Sequence, residues 1–233
     1  MHPAPPATLL RAGRHVAVRA RLAVLASAAV LAPLGWAVAA GWSPLLRFDR
    51  SVSDALYAGD DRSRLLEVVL QVATAPGLAA VRYVVLLPVL TWLVRCRAWW
   101  TAAWVVTAAA LVGPLTSWLK ELVGRPRPLF AEGGARWDSL SFPSGHSSGI
   151  ACLATVLLVL AWPRLAPGAR SRGLVLGGAL VLLVGCTRLW LGVHFPSDVL
   201  GGWALGCGWT LLVALGFGAL PGGRAALEPE VRA

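Results

Sequence analysis

Apolar runs close to 20 residues long recur along the chain, each closed by charge, proline or glycine. The first is Leu22–Trp42, and the second is Leu78–Val94, with Pro88 inside it and Arg95-Cys96-Arg97 behind it. The third, Trp99–Leu119, stops at Lys120. Three more follow: one from the Pro143-Ser144-Gly145-His146 block to Trp162, one over Leu174–Leu191 and one over Pro196–Leu215. A helix rises about 1.5 Å per residue, so runs of this length match a bilayer core of about 30 Å. The pattern predicts six transmembrane helices within residues 22–217. The basic leader, apolar run and Val38-Ala39-Ala40 imitate a cleaved signal peptide, but the run is long for one and is expected to stay as the first helix.

Between the first two runs, residues 43–77 mix charged and apolar positions: Arg47, Asp49, Arg50, Asp54, Asp60, Asp61, Arg62, Arg64 and Glu67. That mixture predicts an amphipathic segment along the membrane surface, with its five acids on a solvated face. Pro76-Gly77 breaks the chain before the second span. Residues 121–142 form a polar loop with Arg125, Arg127, Glu132, Arg136 and Asp138, where Pro126 and Pro128 stop the helix. Residues 1–21 are expected to be a basic disordered tail, and residues 218–233 a short polar tail on the cytoplasmic side.

Composition sharpens this picture. Of 233 residues, 57% are hydrophobic and 14% charged, and the mean hydropathy is +0.68. A soluble bundle of that length needs more polar outer faces than this, so the chain reads as one all-α integral membrane domain. The net charge of +10 does not point to nucleic acid, because the arginines are not massed in one patch but flank apolar runs. The four cysteines have no ligand spacing and read as small packing residues.

Six spans with short turns place both termini on one face. That face collects Arg11, Arg14, Arg19 and Arg21, then Arg95 and Arg97, then Arg164, Arg170 and Arg172, with no acid among them. The positive-inside rule makes it cytoplasmic. The opposite face, turned outward, carries the five acids of 43–77 and the strongest polar residues of the chain.

Those residues fall in three short stretches at helix ends. They are Lys120-Glu-Leu-Val-Gly-Arg-Pro-Arg127-Pro128, Pro143-Ser144-Gly145-His146, and Arg188-Leu-Trp-Leu-Gly-Val-His194-Phe-Pro-Ser-Asp198. Lys120 is the single lysine among 21 basic residues, and two of the four histidines are His146 and His194. In order and internal spacing the three blocks resemble the PAP2 superfamily, whose pattern is Lys-x6-Arg-Pro, Pro-Ser-Gly-His and Ser-Arg-x5-His-x3-Asp. Thr187 stands where the family often has serine, and it keeps the hydroxyl. The resemblance extends over about residues 45 to 220 in hydrophobic layout, but its specificity lies in roughly a dozen residues.

The resemblance implies a PAP2/haloperoxidase-like helical bundle and a lipid phosphatase needing no metal or other cofactor. It implies that Lys120, Arg127, Arg188, Ser144 and Gly145 hold a phosphoryl group, which spreads its charge where three cations meet. Ser144 and Gly145 open a helix, and a helix N-terminus favours anions; Ser144 also suits a plain N-cap. His194 is implied as the nucleophile, with Asp198 fixing its tautomer and orientation. His146 is implied as the acid that protonates the leaving oxygen and then activates water. Polyprenyl diphosphate (undecaprenyl diphosphate for example), phosphatidic acid and phosphatidylglycerol phosphate all fit as substrates. An outward site in a bacterial plasma membrane favours the polyprenyl carrier slightly. Phosphotransfer to an alcohol and non-catalytic binding or transport of a lipid phosphate are the competing readings. Haloperoxidases of the family are soluble, which this hydropathy opposes. Gly201, Gly202, Gly206 and Gly208 are expected to let helices pack closely.

Overall fold

A computed structural model describes residues 7–130 and 139–227, and among them it contains helices and no strands. Eight α-helices follow in order: α1 (Ala7–Ala39), α2 (Ser43–Leu56), α3 (Arg64–Thr74), α4 (Ala79–Arg95), α5 (Trp99–Val123), α6 (Gly145–Ala161), α7 (Pro167–Trp190) and α8 (Pro196–Phe217). Five of them are long and apolar enough to cross a membrane. A sixth span is counted if α3 and α4, bent by 50° at the break around Gly77, act as one.

Local chemistry sets the helix ends. Proline opens α2, α7 and α8, where its missing N–H costs nothing. Ser63 caps α3 through its side chain, and Ser144 caps α6. Gly124 ends α5 in the left-handed region at φ 66°, which glycine adopts without strain.

α6 lies centrally, in contact with α5, α7 and α8. Trp104, Val105 and Val112 of α5 join Ile150, Leu153 and Val156 of α6 in one buried apolar cluster with Val184 and Ala214. Outward, Val84 and Leu87 of α4 and Val175 and Leu176 of α7 are exposed. Apolar side chains on the outside are what a lipid solvent favours. Where α8 meets α6, a Cβ on Gly202 would lie 2.6 Å from the Ser144 carbonyl oxygen, and one on Gly206 would lie 2.3 Å from that of Ser148. Gly201 abuts the Phe142 ring and Gly208 abuts Ser27, so all four glycines sit at close approaches.

Three expectations need correction. Residues 7–21, read as a disordered tail, belong to α1, and Val16, Ala17 and Ala20 pack on the core. Alanine, leucine and arginine are good helix formers, and arginine stems can lie along apolar surface. The segment from Gly218 is not a free polar tail as far as Leu227. Leu220 and Ala225 are buried, and the Thr101 hydroxyl donates to the Ala225 carbonyl at 2.8 Å. Within segment 43–77, which forms the two helices α2 and α3, Asp49 is fully buried rather than on a solvated face. Glu132, Arg136 and Asp138 of the loop, residues 1–6 and residues 228–233 lie outside the described residues, as do the side chains of Arg11 and Arg14.

Candidate active site

At one end of the bundle the last turns of α5 and α7 meet the first turns of α6 and α8. Val193 and His194 hang between the α7 and α8 ends, and Pro196 starts α8 so that Asp198 falls in its first turn. The Asp198 carboxylate accepts from the Phe195 N–H at 2.8 Å, closing a cap on α8. His194 Nδ1 lies 3.3 Å from Asp198 Oδ2, and His194 Nε2 lies 3.1 Å from Arg127 Nη1. Guanidinium has no acceptor, so Nε2 must offer its lone pair to Arg127 and the ring proton sits on Nδ1, facing the carboxylate. Burial pushes the His194 imidazole down to about 3, with Asp198 opposing and Arg127 and Lys120 adding to the shift. A neutral ring with an available Nε2 is the result.

Arg127 is held by backbone and side chain together. Its Nε donates to the Ser139 carbonyl at 2.8 Å, its Nη2 to the Ser139 hydroxyl at 2.9 Å, and its Nη1 to the Val193 carbonyl at 2.7 Å. Lys120, in the last turn of α5, donates to the carbonyls of Leu140 and of Ser141, the latter at 3.1 Å. Arg188, in the last turn of α7, is buried and donates to the Thr74 hydroxyl at 2.8 Å, while its Nε is buried without a partner. The charges of Lys120, Arg127 and Arg188 all act on the His146 ring, and those of Arg127 and Lys120 on His194. The structure therefore brings Lys120, Arg127, Arg188, His146, His194 and Asp198 to one place.

Ser144 and Gly145 lie beside this cluster with different parts. The Ser144 hydroxyl is fully buried and accepts from the Ser147 N–H at 3.4 Å and the Ser147 hydroxyl at 3.0 Å, so it works as an N-cap. Its own N–H donates to the Asp198 carbonyl at 2.9 Å, which ties α6 to α8. A Cβ on Gly145 would meet only Thr116, at 3.9 Å, so open space lies in front of that backbone. Gly145, His146 and Lys120 line a cavity of about 240 Å³ that runs inward between α4, α5 and α6.

Several functional-looking residues escaped the sequence reading. Arg125 Nη1 donates to Asp198 Oδ1 at 2.9 Å and to the Ser197 hydroxyl at 2.7 Å, and its Nη2 donates to Asp49 Oδ2 at 2.7 Å. Asp49 in turn accepts from the Ser197 N–H at 3.0 Å and its hydroxyl at 2.5 Å. The Ser141 hydroxyl donates to Asp198 Oδ2. Arg125 also stacks over the Phe195 ring at 3.9 Å. Asp198 is thus gripped from four directions, which leaves the carboxylate little freedom but to face His194. No sequence signal separated Asp49 from the exposed acids around it; its burial in α2 beside Ser53 does. Among the described residues no three His, Cys, Asp or Glu side chains gather as a metal site would require.

Comparison with known proteins agrees with this layout. Residues 98–220 match the model of the PAP2 superfamily. Phosphatidylglycerophosphatase B of Bacillus subtilis is 42% identical over 90 residues, which are 38% of this chain and 44% of the relative. Lipid A 1-phosphatase of Rhizobium etli is 32% identical over 127 residues, half of each chain. The chain spans about half the length of the curated relatives it matches. The crystal structure of a transmembrane PAP2 type phosphatidylglycerolphosphate phosphatase from Bacillus subtilis superposes with a TM-score of 0.62 at 29% identity, covering 78% of this chain and 92% of that one. The family model matches more than half of the chain's length, so this integral membrane chain belongs to the PAP2 superfamily.

Proposed function

We propose that the chain is a lipid phosphatase that hydrolyses a phosphomonoester or diphosphate headgroup through a phosphohistidine. The observation that carries this reading is the His194 Nε2 lone pair, set by the Asp198 contact and aimed at the Arg127 guanidinium. A phosphoryl group entering there would take over Arg127 as a bidentate donor and gain Lys120 and Arg188 as further charges. The open backbone at Gly145 and the start of α6 add a favourable dipole end.

The steps balance without a metal. Nε2 attacks phosphorus, the bond from phosphorus to the lipid oxygen breaks, and His146 delivers its proton to that oxygen. Water then attacks the phosphohistidine, His146 takes the water proton, and His194 leaves as neutral imidazole with inorganic phosphate released. The negative charge of the bound phosphoryl group favours the protonated His146 that the first step needs. Asp198 has three hydrogen-bond donors besides His194, so its role here is to orient the ring and not to bind a cation.

The site is proposed to face outward. Arg95, Arg97, Arg164 and Arg170 lie at the opposite end of the bundle, with Arg164 against the Trp92 ring and Arg170 against the Trp162 ring. The lipid substrate would lie with its headgroup at the outer interface and its tails among the helices. Phosphatidylglycerol phosphate, phosphatidic acid and polyprenyl diphosphate are the candidate substrate classes. The purified chain should release phosphate from such a panel in the presence of EDTA. His194→Ala should lose turnover and the trapped phosphoenzyme together; full activity in that variant, or strict dependence on a divalent ion, would remove the mechanism.

A further inference from the structure

Arg82 sits in the first turn of α4, and 3% of it is exposed. Among the described residues it has no ion-pair or hydrogen-bond partner for its guanidinium, and its Nε is buried without any acceptor. Its one close contact of note is the neighbouring Tyr83 ring, 5.2 Å from the guanidinium carbon. An arginine inside a membrane span is costly to insert, and such residues normally find a partner. This one faces a cavity instead.

That cavity is the same 240 Å³ space that Lys120, Gly145 and His146 line from above. Its lower wall is built around Arg82. A Cβ on Gly149 would lie 2.7 Å from Arg82 Nη1 and 2.8 Å from the Gly77 carbonyl oxygen, so the guanidinium lies close against the bare backbone of α6. Gly149 is four residues beyond Gly145, which places this charge about 6 Å further inward along the helix. Leu78 and Ala79, at the start of α4, also line the space, and Leu78 supplies no side-chain cap to the free N–H groups there. The cavity floor is therefore an unneutralised cation beside an uncapped helix start, which is an anion site by charge and by donors.

We infer that Arg82 and the start of α4 bind a second phosphate of the substrate, the one carried by the leaving group. This rests on the phosphatase reading above. In any lipid with two phosphates in series, the transferred phosphoryl group is terminal and the other lies on the tail side. His146, which protonates the leaving oxygen, lines the same cavity as Lys120 and Arg82, and Arg82 lies against Gly149, one helical turn further inward than Gly145, so the tail side is the Arg82 side. A second phosphate bonded directly to the first, or joined through a short alcohol linker, falls within reach. A monophosphate lipid presents nothing for Arg82 to bind.

The test replaces Arg82 with methionine, which removes the charge while roughly keeping the volume. A buried charge without a partner is replaced at little or no loss of stability, so unliganded Arg82→Met in detergent should melt at or above wild type. A marked drop would show the guanidinium to be structurally paired and would sink the proposal. Two substrate pairs are then compared: farnesyl diphosphate against farnesyl phosphate, and phosphatidylglycerol phosphate against phosphatidic acid. In at least one pair the variant should lose about ten- to a hundredfold in kcat/KM for the two-phosphate member and keep the value for its partner, as loss of a charged hydrogen bond implies. The pair that responds identifies the spacing between the phosphates. Equal losses within both pairs, or no loss in either, overturn the subsite. Binding separates the two hypotheses: with His194→Ala, farnesyl diphosphate should raise the melting temperature more than farnesyl phosphate, and Arg82→Met added to it should erase the difference. Absence of turnover in wild type would fell the phosphatase reading alone, whereas absence of that binding difference would fell the subsite.

Discussion

Asp49→Asn probes the buried chain Asp49–Arg125–Asp198 with the smallest change of shape. In the native protein one carboxylate oxygen takes the Arg125 Nη2 donor at 2.7 Å and the Ser197 hydroxyl at 2.5 Å, while the other takes the Ser197 N–H at 3.0 Å. An amide can keep the Ser197 N–H acceptor, but its NH2 group then faces Arg125 donor to donor. A hydrogen bond to a charged group contributes about 1.5–3 kcal/mol, and removing one partner of a buried pair costs about 3–5 kcal/mol. Arg125 keeps Asp198 at 2.9 Å, so the lower part of that range applies, about 2–3 kcal/mol. For a chain of this size each kcal/mol moves the midpoint by about 2–4 °C, so a drop on the order of 4–12 °C is expected. Scanning fluorimetry in detergent on the intrinsic tryptophans reads it directly. The control is Asp54→Asn in the same helix, whose exposed contact with Arg50 at 3.7 Å is worth about 1 kcal/mol at most. Turnover should fall about tenfold in Asp49→Asn, since Arg125 holds the carboxylate that orients His194. An Asp49 variant that melts and turns over like the Asp54 control would refute the positioning chain.

Two further outcomes follow from the geometry. The folded His194 has its pKa near 3 and the unfolded one its ordinary 6.5, so between those values only the unfolded chain carries the proton and stability falls as pH drops below 6.5. Stability of wild type should decline across that window by up to about 1.4 kcal/mol per pH unit from this group, read as falling melting midpoints, and His194→Gln should flatten the decline; identical slopes would contradict a buried neutral ring. Cys96 is exposed in the turn before α5, whereas Cys152 is buried and Cys186 and Cys207 are half-buried. A membrane-impermeant maleimide should label Cys96 in inside-out vesicles and spare it in intact cells, and the reverse pattern would invert the proposed orientation.

Scarcity made the cluster around His194 legible in the sequence. A single lysine, two histidines outside the tail and one acid four residues beyond His194 stand out in a chain this apolar. Asp49 and Arg125 were hidden for the opposite reason. Asp49 is one of five acids in a mixed-charge stretch, and nothing in its spacing distinguishes a buried carboxylate from a wetted one. Arg125 and Arg127 share the run Arg-Pro-Arg-Pro, where two consecutive arginine–proline steps give no hint which guanidinium turns toward α8 and which toward the His194 ring. Arg82 was noticed as a charge near the start of a span, but its importance depends on the empty space in front of it, and space has no letter in a sequence. The helical character of residues 7–21 was masked by prolines in the first six positions and by arginines that resemble a flexible basic tail.

The glycine contacts between α6 and α8 have a mechanical consequence. With Gly202 and Gly206 pressed against the backbone of Ser144 and Ser148, the helix that carries His146 and the one that follows His194 have almost no freedom to slide apart. The two imidazoles are thus mounted on one stiff frame, and their separation is expected to stay constant across the lipid substrates proposed above. On that proposal, accommodation of tails of different girth falls to α4, bent by 50° from α3 at the opposite wall of the cavity.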